Sequence, residues 1–124
     1  MQYDILMSKS KKISSGTSDS YYDLVYEVTR HIPYGRVTNY GAIADYLALG
    51  SARMVGWALN QCHAMPDIPA HRVVNRLGEL SGRHHFNPPS AMAARLRKEG
   101  ITVKADKIVD FEKLFWHPTE MKMG

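Results

Sequence analysis

The 124-residue chain has one cysteine, Cys62, which excludes an internal disulfide and is compatible with a reducing compartment. No apolar run approaches a membrane span, and the start of the chain lacks the apolar core of a secretory signal. The expectation is a cytoplasmic protein with no membrane partner. Internal repeats and a composition break that would mark a second domain are missing as well. The six histidines show no ligand-like constellation; His84 and His85 are adjacent and cannot share one helical face. No metal site and no cofactor are expected. What remains is one small domain, 44% hydrophobic, with enough apolar residues for a single modest core.

Charge is unevenly placed. The net value is +4, but residues 72–107 hold eight Lys/Arg against Glu79, Glu99 and Asp106, while residues 1–71 balance at six against six. A basic second half in an otherwise neutral chain suits a polyanion partner; the alternative is a solvated helix face. Residues 1–17 carry too little apolar surface to offset ordering entropy and read as a flexible tail. The domain itself is expected over 18–118, with a frayed end at 119–124.

A first helix is expected from a cap near Ser18–Ser20 to about His31, since Tyr21, Leu24, Val25, Val28 and Ile32 recur at helical spacing. Pro33, Tyr34 and Gly35 turn the chain. A second helix follows, roughly Tyr40 to Leu49, with Ile43, Ala44, Leu47 and Ala48 inward. Gly50 ends it, and Ser51 caps a third helix through about Gln61. Two short helices joined by a Gly-containing turn have the form of a helix-turn-helix. On the third helix Val55, Ala58, Leu59 and Cys62 form an apolar face, and Arg53, Gly56, Trp57 and Asn60 lie opposite. Glycine inside a helix costs about 1 kcal/mol relative to alanine. Either a foreign backbone approaches Gly56 closely, or another helix of the chain crosses there with Trp57 packed on it.

Downstream, Arg72–Val74 reads as a strand, Asn75–Gly78 as a turn and Glu79–Ser81 as a returning strand, a hairpin that would form a wing. A loop over Gly82–Pro89 carries Arg83, His84, His85 and Phe86. Ser90 caps a helix to Lys98, closed by Gly100; Ile101–Val103 is a short strand, and Asp110 caps a last turn over Phe111–Phe115. The fold class is therefore mainly α with a small β wing.

The stretch Ile68–Val74, IPAHRVV, is the one that invites a chemical reading. His71 near an acidic residue would suit general-base activation of a nucleophile, yet the residue before it is Ala70, and no Ser-based motif surrounds it. The one thiol, Cys62, falls on the apolar side of the third helix, where free cysteines are commonly buried and inert.

IPAHRVV resembles the active-site stretch of the O6-alkylguanine-DNA alkyltransferases, Ile-Pro-Cys-His-Arg-Val. The resemblance extends over about residues 20–103: Ser51-Ala52-Arg53-Met54-Val55-Gly56 is similar to the family's minor-groove helix at the same separation, and Tyr40 in VTNYGAIA matches a family tyrosine. It implies a winged helix-turn-helix of the alkyltransferase C-terminal domain type. It implies that Arg53 replaces an extruded nucleotide in the base stack and that Tyr40 pushes the 3′ phosphate as the base rotates out. Ser51, Ala52 and Gly56 would let the helix sit in the minor groove.

Departures from the family shape the expected function. Its acceptor cysteine is Ala70 here, its hinge asparagine is Cys62 and a helix glycine is Trp57, so the chain looks like an alkyltransferase-like protein. By that resemblance no catalytic residue is left. His71 and Glu99, which match the family's proton relay, would be structural leftovers. The lesion pocket is expected from Leu59, Pro69, Ala70, His71, Arg72, Val73 and Arg83, with Arg83 either stacked on the alkylated base or on a wing phosphate. The implied partners are double-stranded DNA containing O6-alkylguanine and nucleotide excision repair proteins, met by a monomer; Phe115 and Trp116 are a candidate partner surface. Two rival readings stand beside this one: alkyl transfer to Cys62, and a winged-helix transcription regulator reading the major groove.

Overall fold

A computed structural model describes residues 20–121. Helix α1, Ser20–Arg30, carries Asp23 in its first turn and Arg30 in its last, both complementing the helix dipole. It buries Leu24, Val25, Tyr26 and Val28. The buried Thr29 hydroxyl donates to the Val25 carbonyl (2.7 Å), and the Tyr26 hydroxyl donates to the Ala58 carbonyl (2.7 Å), tying α1 to the third helix. Pro33–Arg36 then turns the chain, with Gly35 at φ +80°, into strand β1, Thr38–Asn39.

Helix α2, Tyr40–Tyr46, is capped by Asn39, whose Oδ1 accepts from the Ala42 N–H at 2.7 Å. It ends a turn earlier than expected. Leu47 is the C-cap and Ala48 takes a left-handed φ of +56°, so Ala48 is exposed rather than inward. Helix α3, Ala52–Asn60, packs against α1 and α2 and buries Val55, Ala58 and Leu59. Ser51 occupies its N-cap with extended backbone but makes no side-chain cap bond. The helix-turn-helix is thus α2 and α3.

The β structure differs from the expected hairpin. Strand β2, Val73–Val74, pairs parallel with β1, Thr38 against Val73 and Asn39 against Val74. Both valines are fully buried, as suits a strand covered on both faces; a wing arm would alternate. Residues 79–81 do not pair with β2 as a strand. Asn75 instead closes a tight turn, its Oδ1 accepting from the N–H groups of Leu77 (3.0 Å) and Glu79 (2.9 Å). The wing is β3, Val103–Lys104, antiparallel to β4, Lys107–Ile108, joined by Ala105 and Asp106 at φ +51° and +57°. Glu79 bridges to Lys107 at the wing's edge.

Between these lies helix α4, Ala91–Lys98, burying Met92, Ala93 and Leu96; Ser90 is its N-cap without a side-chain bond. Helix α5, Phe111–Leu114, follows Asp110, which likewise makes no side-chain cap bond. The segment after α5 returns to β1: Val37 bridges to Phe115, and the Trp116 N–H donates to the Val37 carbonyl (2.7 Å). Trp116 is 3% exposed, so it is a core residue and cannot serve as the partner surface expected of it. Pro118–Glu120 forms a capped turn and Met121 is buried, where fraying was expected from 119. The expected tail, 1–17, lies outside the described residues. Among them no helix is long and apolar enough to cross a membrane.

Candidate nucleic-acid interface

The outward face of α3 is polar at its start and open in its middle. Ser51, Ala52 and Arg53 are exposed, and with no cap bond the Ser51 side chain is not committed to the helix end. Among the described residues Arg53 has no carboxylate partner. Arg53, Ala52, Gly56, Trp57 and Asn60 line one side of a concavity of about 340 Å³, and Tyr40 of α2 lines the other. A Cβ added to Gly56 would meet nothing within 4 Å. Among the described residues no helix crosses there, which leaves the packed-helix explanation for this glycine without support.

Tyr40 links this concavity to the loop that carries Arg83. Its ring is largely buried, and burial raises its pKa, partly offset by a hydrogen bond with Ser81. A Cβ added to Gly82 would stand 2.7 Å from the Tyr40 hydroxyl, a close approach that only glycine permits without movement. Arg83 itself is folded onto the wing: its guanidinium donates to the Leu80 carbonyl (3.0 Å) and lies 3.4 Å from the Asp106 carboxylate.

The IPAHRVV stretch forms a short helical turn, Ala70–Arg72, entered through Pro69. Ala70 is 9% exposed and its surface belongs to a second cavity, of about 380 Å³, walled also by Cys62, His63, Met65, Ile68 and Arg95. Leu59 and Val73, expected as pocket walls, are instead packed in the core at 4% and 0% exposure. Both lie on the inward side of their elements, one on the apolar face of α3 and the other in the covered strand β2.

His71 and Arg72 turn away from that cavity toward Glu99. The Glu99 carboxylate accepts from His71 Nε2 (2.7 Å), from Arg72 Nε (3.0 Å) and from the Gly35 N–H (2.7 Å). Arg72 also donates to the Ile32 carbonyl (2.8 Å). Burial alone would raise the pKa of Glu99, but its hydrogen bonds, with Arg72 foremost, outweigh it and hold the carboxyl below its ordinary value. Burial lowers the pKa of His71, and Glu99 only partly restores it. A neutral His71 therefore donates through Nε2, while Nδ1 is buried with no hydrogen-bond partner among the described residues. The arrangement joins the end of α1, the IPAHRVV turn and the end of α4.

The Cys62 side chain donates to the Leu59 carbonyl (3.1 Å), and burial, with the nearby Asp67 charge, pushes its thiol up to about 11. A thiol so held stays protonated at neutral pH and is a poor nucleophile. Among the described residues no three His, Cys, Asp or Glu side chains converge as a metal site requires.

Sequence reasoning located Arg53, Gly56 and Tyr40 on one surface and placed Ala70 beside a cavity. It missed His63, Met65 and Arg95 as walls. Arg95 lies 25 positions from Ala70 on another helix, and no local pattern links them. It also placed Trp57 on the Arg53 face but gave it no part in the interface, although Trp57 lines the same concavity.

A helix-turn-helix followed by a small lysine-bearing wing, an arginine exposed on its second helix and a partly open cavity beside Ala70 define a small DNA-binding domain. Residues 20–101 match the DNA binding domain of the 6-O-methylguanine DNA methyltransferases, and the chain belongs to that family. It is 33% identical over 105 residues to alkyltransferase-like protein 1 of Schizosaccharomyces pombe, covering 81% of this chain and 97% of that one. It is 32% identical over 102 residues to the DNA base-flipping protein of Escherichia coli, covering 80% and 76%. The crystal structure of the S. pombe protein in complex with damaged DNA containing O6-carboxymethylguanine superposes with a TM-score of 0.70 at 33% identity, covering 82% of this chain and 99% of that one. The fold class expected from the sequence, mainly helical with a small wing, is the one observed, with the wing at 103–108.

Proposed function

We propose that this chain is a non-enzymatic sensor of O6-alkylguanine in double-stranded DNA, which enters the minor groove with α3 and turns the damaged nucleotide out of the duplex. The observation that carries the reading is Ala70: a methyl group, in place of a nucleophile, forms one wall of a cavity of about 380 Å³. The S. pombe relative bound to damaged DNA and the base-flipping name of the bacterial one support it.

Extruding a base costs a few kcal/mol, less where alkylation has already weakened its pairing, and this difference is itself a source of selectivity. Arg53 is placed to fill the vacated stack, and Tyr40 to press on the adjoining phosphate. Ser51, Ala52 and Gly56 keep the helix surface low enough for a narrow groove. The O6 substituent enters the cavity beside Ala70, bordered by the Pro69 bend, and the missing sulfur leaves room for groups larger than methyl. His71, Arg72 and Glu99 hold that turn rigid rather than move protons; Leu59 and Val73 support it from the core.

Arg83 is released to stack on the flipped ring. The exposed Asp106 pair that holds it is worth at most about 1 kcal/mol, whereas a guanidinium on an aromatic face gives ~0.5–2 kcal/mol. With no bond made or broken, the product is a persistent complex, acting in the cytoplasm as a monomer and handed to nucleotide excision repair. Alkyl transfer to Cys62 is disfavoured by its protonated, hydrogen-bonded thiol.

The test is flipping without transfer. A duplex with 2-aminopurine paired opposite the lesion's neighbour should brighten on binding, and Arg53→Ala should remove that signal while leaving weak, salt-sensitive association. Radiolabel from O6-[³H]methylguanine DNA appearing on the protein would contradict the non-enzymatic reading.

A further inference from the structure

Trp57 is 51% exposed, whereas the chain's other tryptophan, Trp116, is 3% exposed. Four residues after Arg53, it stands on the same side of α3 and lines the same concavity, with Gly56 between them. No residue of the described chain stacks on its indole. The glycine beside it leaves the helix surface bare, since a Cβ there would project into open space. An arginine, an asparagine and two aromatic rings around a bare helix surface are suited to sugar and base edges, not to a water-facing wall.

We propose that Trp57 is a DNA anchor whose indole lies in the minor groove against the sugar-base wall, beside the nucleotide that Arg53 displaces. This rests on the proposed function. Four residues of helix span about 6 Å along α3, close to two base steps at roughly 3.4 Å each. Trp57 therefore reaches a nucleotide outside the flipped position. It follows that Trp57 contributes affinity that is blind to the lesion, and Arg53 contributes discrimination.

The experiment uses the full chain with guanine and O6-methylguanine duplexes, read by acrylamide quenching of tryptophan fluorescence and by affinity. Trp57→Phe leaves only Trp116 and supplies its background. Subtracting it should show an indole quenched freely in the unbound protein and shielded on both duplexes. Trp57→Ala should weaken both affinities by a similar factor, about tenfold, with the lesion-to-guanine ratio kept and Trp57→Phe restoring most of the loss. Circular dichroism checks that the variants fold. An indole equally quenched with saturating DNA, or unchanged affinities in Trp57→Ala, overturns the anchor. A shielded Trp57 with no preference for the lesion keeps the anchor and removes the sensor reading; a lesion preference with an accessible Trp57 does the reverse.

Discussion

Three side chains decide what the IPAHRVV region can do: Ala70 has nothing to react with, His71 is turned to Glu99, and the Cys62 thiol, pushed up to about 11, remains protonated. Cys62 should therefore be silent to a thiol reagent such as Ellman's at neutral pH in the native protein and react fully in denaturant. Rapid native reaction would mean the thiol is less protected than its 1% exposure indicates. Gly82 is the second residue-level test. A Cβ at this position would stand 2.7 Å from the Tyr40 hydroxyl, so Gly82→Ala must displace one of them, and Tyr40 is the residue proposed to press on the phosphate. Flipping, read by 2-aminopurine, should fall several-fold in Gly82→Ala while the thermal midpoint moves little. Loss of folding without any separate loss of flipping would place the contact in the scaffold alone.

Among the elements, the Gly35–His71–Arg72–Glu99 cluster ties two helices to the turn that bears Ala70. Removing the Glu99 charge with Glu99→Gln leaves buried donors poorly matched and should cost about 1–3 kcal/mol in denaturant unfolding. The pH dependence follows from the same groups. His71 lies below its ordinary 6.5 and Glu99 below its ordinary 4.5, so as the pH falls the unfolded chain takes up each proton first. Stability is full above about pH 6.5, declines as His71 would protonate, and declines again through the carboxylate range. A thermal midpoint rising on acidification below 6.5 would contradict this ordering. These elements differ in how far the sequence disclosed them. Helices α1 and α3 carry repeated apolar spacing, so their positions were legible to within a residue or two. The strands are two residues long, too short to show alternation. The partner of Val73 is Thr38, 35 positions away, so the parallel pairing could not be read locally. The wing at 103–108 is local, but its two-residue arms meet at Ala105-Asp106, a turn without the glycine or asparagine that marks a hairpin. The site divides the same way: Arg53 and Gly56 share a helix face visible in the spacing, whereas the approach of Arg95 to Ala70 exists only after folding.

As a whole molecule, the chain carries its excess positive charge in residues 72–107, which suits the polyanion partner proposed for it. Binding to undamaged duplex should be mainly electrostatic, with log affinity falling linearly against log salt by about 0.9 per phosphate engaged. A flat salt dependence would contradict a phosphate-tracking interface. Lesion preference, which the proposed function assigns to the cavity beside Ala70 and to Arg53, should by contrast survive salt better than total affinity does. The most direct measurement of the central claim is a titration of the full chain against matched duplexes carrying guanine or O6-methylguanine, with the DNA recovered and its lesion content assayed afterwards. Tighter binding to the O6-methylguanine duplex, with every methyl group still on the DNA, is the predicted result. Equal affinity for the two duplexes, or methyl groups lost from the DNA, would contradict it.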